Sequence, residues 1–72
     1  MREIMTPWFP FGDGFRAQCR DPYHELEVRP SARGWEWTVE RISPGSGRFE
    51  MVAHGVAKSP EIAKARCLAV FK

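Results

Sequence analysis

The chain has 72 residues, room for one small domain. Folding at this length buries only about 60% of the unfolded surface, so the core calls for a supplement such as a disulfide, a metal or a partner chain. A composition of 43% apolar and 28% charged residues excludes a disordered chain. A net charge of +2, from eleven Lys/Arg against nine Asp/Glu, excludes long-range attraction as the basis for binding nucleic acid or acidic membranes. No apolar run approaches the ~20 residues of a membrane span, and Arg2 and Glu3 precede no run of signal-peptide length. Cys19 and Cys67 make no disulfide framework. A cytoplasmic protein with reduced thiols and no membrane partner is the expectation.

Residues 1–22 read as an arm. Met5 through Gly14 is dense in Pro, Gly and aromatics, which bars a regular helix or a central strand. Trp8, Phe9 and Phe11 therefore either cover one edge of the core or dock on a partner. Phe15–Arg20 alternates apolar and polar residues, which suits a short edge strand, and Pro22 ends it.

Residues 23–72 read as a β-β-β-α domain. In His24–Arg29, Leu26 and Val28 share a face with His24, and Glu25, Glu27 and Arg29 take the other. Pro30–Gly34 supplies turn residues. Trp35, Trp37 and Val39 then form the clearest apolar row, opposite Glu36, Thr38 and Glu40. Ser43–Gly47 is a hairpin turn. In Arg48–Ala57, strict alternation sends Phe49, Met51 and Ala53 one way and Glu50, Val52 and His54 the other. Ser59 as cap, Pro60 at the first helical position and Glu61 in the first turn open a C-terminal helix. Its apolar residues, from Ile62 to Phe71, spread around more of the helix than one sheet face can cover. The expected fold is α+β: a three-stranded antiparallel sheet, with an added edge strand from the arm, packed on one face by the helix.

Chemistry-bearing residues are few. His24 and His54 have no orienting acid at motif spacing, and Cys19 and Cys67 lie far apart. Gly12-Asp13-Gly14 and Gly45-Ser46-Gly47 read as turns, not phosphate loops. Cys19, His24, His54 and Cys67 lack the paired spacings of a zinc site. The expectation is therefore no enzyme, no cofactor and no metal.

Residues 49–70 resemble the second half of a double-stranded-RNA-binding domain, whose last strand runs through G-x-G/A-x-S-K-K-x-A-K into an alanine-rich helix. Gly55, Ala57, Ser59, Ala63 and Lys64 match. The lysine pair that grips phosphate in that family stands here as Pro60 and Glu61, and the family's N-terminal helix has no counterpart. The resemblance implies the β-β-β-α topology. AP2-like domains share that topology and read DNA with the exposed sheet face. Here that face is expected to carry Glu25, Glu27, Glu36, Glu40 and Glu50 against Arg29 and Arg48, an acidic balance that repels phosphate. W-x-W-x-V, a turn, G-x-A-x-S and an alanine-rich helix also resemble short bacterial β-β-β-α proteins of uncharacterised function.

Two functions follow as expectations. The first is a non-enzymatic interaction module, a homodimer or a binder of a protein partner, with Trp8, Leu68 and Phe71 as contacts. The second is a small nucleic-acid-binding protein that uses Arg33, Lys58, Lys64 and Arg66.

Overall fold

The computed structural model describes residues 7–19, 23–43 and 45–70. It contains one antiparallel sheet and one helix. The strands are β1 (Phe9–Phe11), β2 (Gly14–Cys19), β3 (His24–Ser31), β4 (Gly34–Ile42) and β5 (Phe49–Ala57), followed by helix α1 (Pro60–Ala69). Their order in the sheet is their order in the chain. A meander of this kind follows from short connections, since consecutive strands joined by tight turns pair with each other.

The sheet has five strands where the sequence reading has three and an added edge strand. The alternating segment in the arm is β2, which pairs along β3 from Phe15 opposite Val28 to Cys19 opposite His24. The Pro-rich stretch before it supplies β1, with Phe9 opposite Arg16 and Phe11 opposite Gly14. Pro10 is accommodated because β1 is outermost and has no second neighbour to hydrogen-bond. Phe9–Phe11 and Gly14–Cys19 of the arm thus belong to the sheet of the main domain.

One sheet face carries the core. Ala17, Cys19, Leu26, Val28 and Val39 from the strands and Ala63 and Cys67 from α1 are buried, with Trp8, Trp35, Trp37, Ala57 and Val70 packed around them. The pairings Ala17–Leu26, Leu26–Val39 and Val39–Ala53 run this apolar row across four strands. The helix starts as its residues dictate. The Ser59 hydroxyl accepts the Ile62 N–H at 3.2 Å, Pro60 needs no partner for its missing N–H, and Glu61 lies in the first turn. Small residues on its inner side, Ala63 and Cys67, let α1 sit close to the sheet, where the Cys67 thiol points at the Thr38 carbonyl, 3.9 Å away. Gly55 does the same for β5. A Cβ there would lie 2.8 Å from three atoms of the Trp37 indole, so the ring rests on bare backbone.

Strict alternation fails at one place. A β-bulge interrupts the β4–β5 ladder: Val39 faces Ala53 and Glu40 faces Met51, which leaves Val52 as an extra residue. Because a one-residue slip exchanges the two faces of a strand, Phe49 and Met51 stand on the opposite face from Ala53. Glu50 is turned to the helix side, opposite Arg41, with which it forms an ion pair.

Candidate interaction surface

The face away from α1 is lined in strand order by Phe9 and Phe11, then Arg16 and Gln18, Glu25, Glu27 and Arg29, then Glu36, Thr38, Glu40 and Ile42. On β5 it ends with Phe49, Met51, His54 and Val56. Its centre is polar and partly self-neutralised. The Arg16 guanidinium lies 3.6 Å from Glu25 and 3.6 Å from Glu27, and over the Phe11 ring at 3.7 Å. The Tyr23 hydroxyl donates to Glu25 at 2.9 Å. Loss of solvent, and then that bond to a carboxylate, raise the Tyr23 pKa. Glu50 does not belong to this face, and Arg16 does. Four carboxylates of its strands therefore stand against two arginines, and Arg33 of the β3–β4 turn lines its groove as a third, so the acidic excess is smaller than strict alternation gives. Glu36 and Glu40 enter no ion pair among the described residues.

The apolar side chains collect at the β5 border of the face. Phe49, Met51 and Val56 are 55%, 50% and 41% exposed. Between β4 and β5 lies a shallow groove of about 310 Å³, lined by Arg33, Glu36, Thr38, Met51, His54 and Val56 among others. It holds an imidazole, a hydroxyl and a carboxylate, but among the described residues no hydrogen bond or ion pair orients His54.

The residues singled out in the sequence are dispersed. Trp8 is half-buried against the core, and Leu68 is exposed. Phe71 lies outside the described residues. Lys64 reaches over Phe15, 4.0 Å from the ring centroid, and towards Trp8 at 5.6 Å, which fixes that flank of α1 as the one above β2. At about 100° per residue, Leu68 falls about 40° from Lys64 on the same flank, while Ile62 and Arg66 fall on the flank above β5. Arg33 and Lys58 are together at the end of the sheet where Trp35 faces Ala57. The four cations thus divide between that end and two opposite flanks of the helix, and Lys64 is engaged by aromatic rings. Nothing gathers them into a phosphate-tracking stripe.

His24 and Cys19 are buried on the core face, whereas His54 stands on the outer face. Both cysteines are buried. Burial pushes the Cys67 thiol up from 9.0 to about 12, away from nucleophilic character. Among the described residues no three His, Cys, Asp or Glu side chains gather to hold a metal, and no helix is long and apolar enough to cross a membrane.

The apolar border on β5 was hidden from period-2 reading, which places Phe49 and Met51 on the core face with Ala53. No signal within the segment reveals it, because both ways of placing Phe49 and Met51 satisfy strand propensity and the extra residue shows only against β4. No protein-family model, no curated protein and no solved structure matches the chain.

Proposed function

We propose that the chain is a small non-enzymatic interaction module that works through the β5 side of its sheet. The observation that carries this reading is the row of Phe49, Met51 and Val56, three large side chains about half exposed on one strand. They stand at a sheet border that no other strand among the described residues covers. A 72-residue domain gains stability and specificity by burying such a row against another chain. Nucleic acid is a poorer occupant, because the unpaired Glu36 and Glu40 carboxylates lie beside the row and would repel phosphate.

The reading is tested by two measurements on the intact chain. Gel shifts with duplex DNA and duplex RNA at low salt are expected to show no complex. Heteronuclear NMR of the chain is expected to show concentration- or partner-dependent shifts confined to β5 and its border with β4. A salt-dependent nucleic-acid complex that disappears when Arg33 and Lys58 are changed to Gln would replace this reading with the second one.

A further inference from the structure

Resting on that reading, we infer that the occupant of the β5 edge is a second copy of this chain. The two β5 strands pair antiparallel about a two-fold axis between Val52 and Ala53, and the two sheets join into one of ten strands.

The inference begins with the faces of β5. Phe49, Met51, His54 and Val56 stand on the outer side, opposite Ile42, Glu40, Thr38 and Glu36 of β4. Glu50, Ala53 and Gly55 stand on the helix side, opposite Arg41, Val39 and Trp37. Val52, the additional residue of the bulge, shares the place of Ala53, since two residues there oppose one. From 49 to 56 the order is outer, helix, outer, helix, helix, outer, helix, outer. It reads the same from both ends.

That palindrome fixes a register. A regularly alternating strand can meet its own copy antiparallel in several registers, each two residues apart, with faces matched in all of them. With the bulge at its middle, β5 keeps all eight residues matched in only one. Phe49 then lies opposite the partner's Val56, Met51 opposite the partner's His54, Glu50 opposite the partner's Gly55, and Val52 opposite the partner's Ala53. Shifting by two residues in either direction sets outer positions against helix-side ones next to the bulge. In the matched register the outer row joins Phe49, Met51 and Val56 from each copy into one patch, with an aromatic against a β-branched residue at both ends.

Charge permits this contact. Glu50 is already paired with Arg41, and it meets the partner's Gly55 instead of a second acid. The two Glu50 residues end up about 17 Å apart along the seam. Arg48, free of ion pairs among the described residues, falls opposite the partner's Ala57. That is the end of the strand from which the partner's Glu61, equally uncommitted, opens α1.

The other edge cannot serve in the same way. β1 has three residues and a proline at its centre, and both features blunt an edge. The β5 seam is about 27 Å long for eight residues. A contact of one strand's depth along it buries on the order of 600–800 Å² in total, below the roughly 1,200 Å² at which stable interfaces begin. The dimer is therefore a weak, reversible one.

Register and occupant are tested together. In sedimentation velocity between about 1 and 500 µM the wild-type mass is expected to rise from one chain to two. Val52→Lys, which puts a charge at the two-fold axis, is expected to weaken association at least tenfold with an unchanged circular dichroism spectrum. Leu68→Lys, on the far flank of α1, is expected to leave it unchanged. Under mild oxidation, a mixture of Phe49→Cys and Val56→Cys chains is expected to give disulfide-linked dimers several-fold faster than either variant alone. Monomer at every concentration overturns the second copy as occupant and leaves a different protein partner for the module. A dimer that is lost through Leu68→Lys, or that cross-links as fast in Phe49→Cys alone, overturns the β5 seam while the interaction-module reading stands.

Discussion

β3 and β5 flank the same strand, β4, pair with it in the same antiparallel sense and differ in length by a single residue, yet they end in opposite environments. His24, Leu26 and Val28 of β3 are buried, and β5 buries no residue fully. α1 packs over both strands, so what separates them is the second neighbour and the residues they turn to the helix. β3 sits between β2 and β4, and its large residues point into the core. On β5 the helix-side positions Ala53, Gly55 and Ala57 are small because Trp35 and Trp37 reach across from β4. The bulge turns Phe49 and Met51 to the other side. Pairing makes a strand, but what lies above and beside it decides whether the strand belongs to the core or to a surface.

The comparison is broken most severely by deleting core volume. Leu26 is fully buried, and Leu26→Ala is expected to cost about 2–5 kcal/mol, lost transfer energy together with an unfilled cavity. Val52→Ala on β5, at concentrations where the chain is monomeric, is expected to cost no more than about 1 kcal/mol. Urea denaturation of the two variants checks the contrast, and equal costs would refute it.

The next effect is on pH. The Cys67 thiol, buried beneath α1, is pushed from 9.0 to about 12, while in the unfolded chain it ionises at its ordinary value. Below pH 9 the thiol is neutral in both states and contributes nothing to the pH dependence. Above pH 9 the unfolded state releases a proton that the folded state retains, so stability falls by about 1.4 kcal/mol per pH unit until the folded thiol itself titrates. The raised Tyr23 hydroxyl acts in the same direction at higher pH. Denaturation midpoints are expected to fall between pH 9 and 11 for the wild type and to fall less for Cys67→Ala. Parallel pH profiles would contradict this account.

A smaller effect tests how β5 meets the core. Gly55→Ala places a methyl 2.8 Å from the Trp37 indole, so the ring must shift. The expected cost is about 1–3 kcal/mol, with a change in tryptophan fluorescence that the exposed substitution Val56→Ala does not produce. An unaltered emission spectrum together with unchanged stability would show that Trp37 does not depend on the bare backbone of β5.

Much of this fold was legible in the residues. Trp35, Trp37 and Val39 announced β4 through strict alternation. Ser59, Pro60 and Glu61 announced the start of α1, because a cap, an N–H-free residue and an acid each have a local physical reason to be there. The environment of β5 was not legible. A bulge is a property of two strands together, and no pattern within Phe49–Ala57 says which residue β4 leaves unpaired. The two extra strands were half visible. Phe15–Cys19 alternates, whereas Phe9–Phe11 carries a proline and becomes a strand only through its neighbour. Leu68 and Trp8, equally apolar in the sequence, part company because Trp8 lies against the core and Leu68 turns outward.

The smallest expected effect concerns the outer face of β3, which β2 holds through Arg16. That guanidinium bridges Glu25 and Glu27 and lies over the Phe11 ring, so one side chain ties β1, β2 and β3 together. Its net worth is modest. The side chains of Arg16, Glu25 and Glu27 are 25%, 17% and 26% exposed, and partly solvated pairs contribute about 0–1 kcal/mol after screening. The Arg16 Nε also lacks a hydrogen-bond partner, which offsets part of the gain. Arg16→Met keeps the stem over Phe11 and removes the charge, and it is expected to lower global stability by about 1 kcal/mol or less. Its local effect is sharper. β1 depends on one neighbour and on this contact, so the amides of Phe9 and Phe11 are expected to exchange with solvent several-fold faster, while those of β5 keep their wild-type rates. Uniform acceleration across the sheet would mean that Arg16 acts on the whole fold and that the β1 side is no more loosely held than the rest.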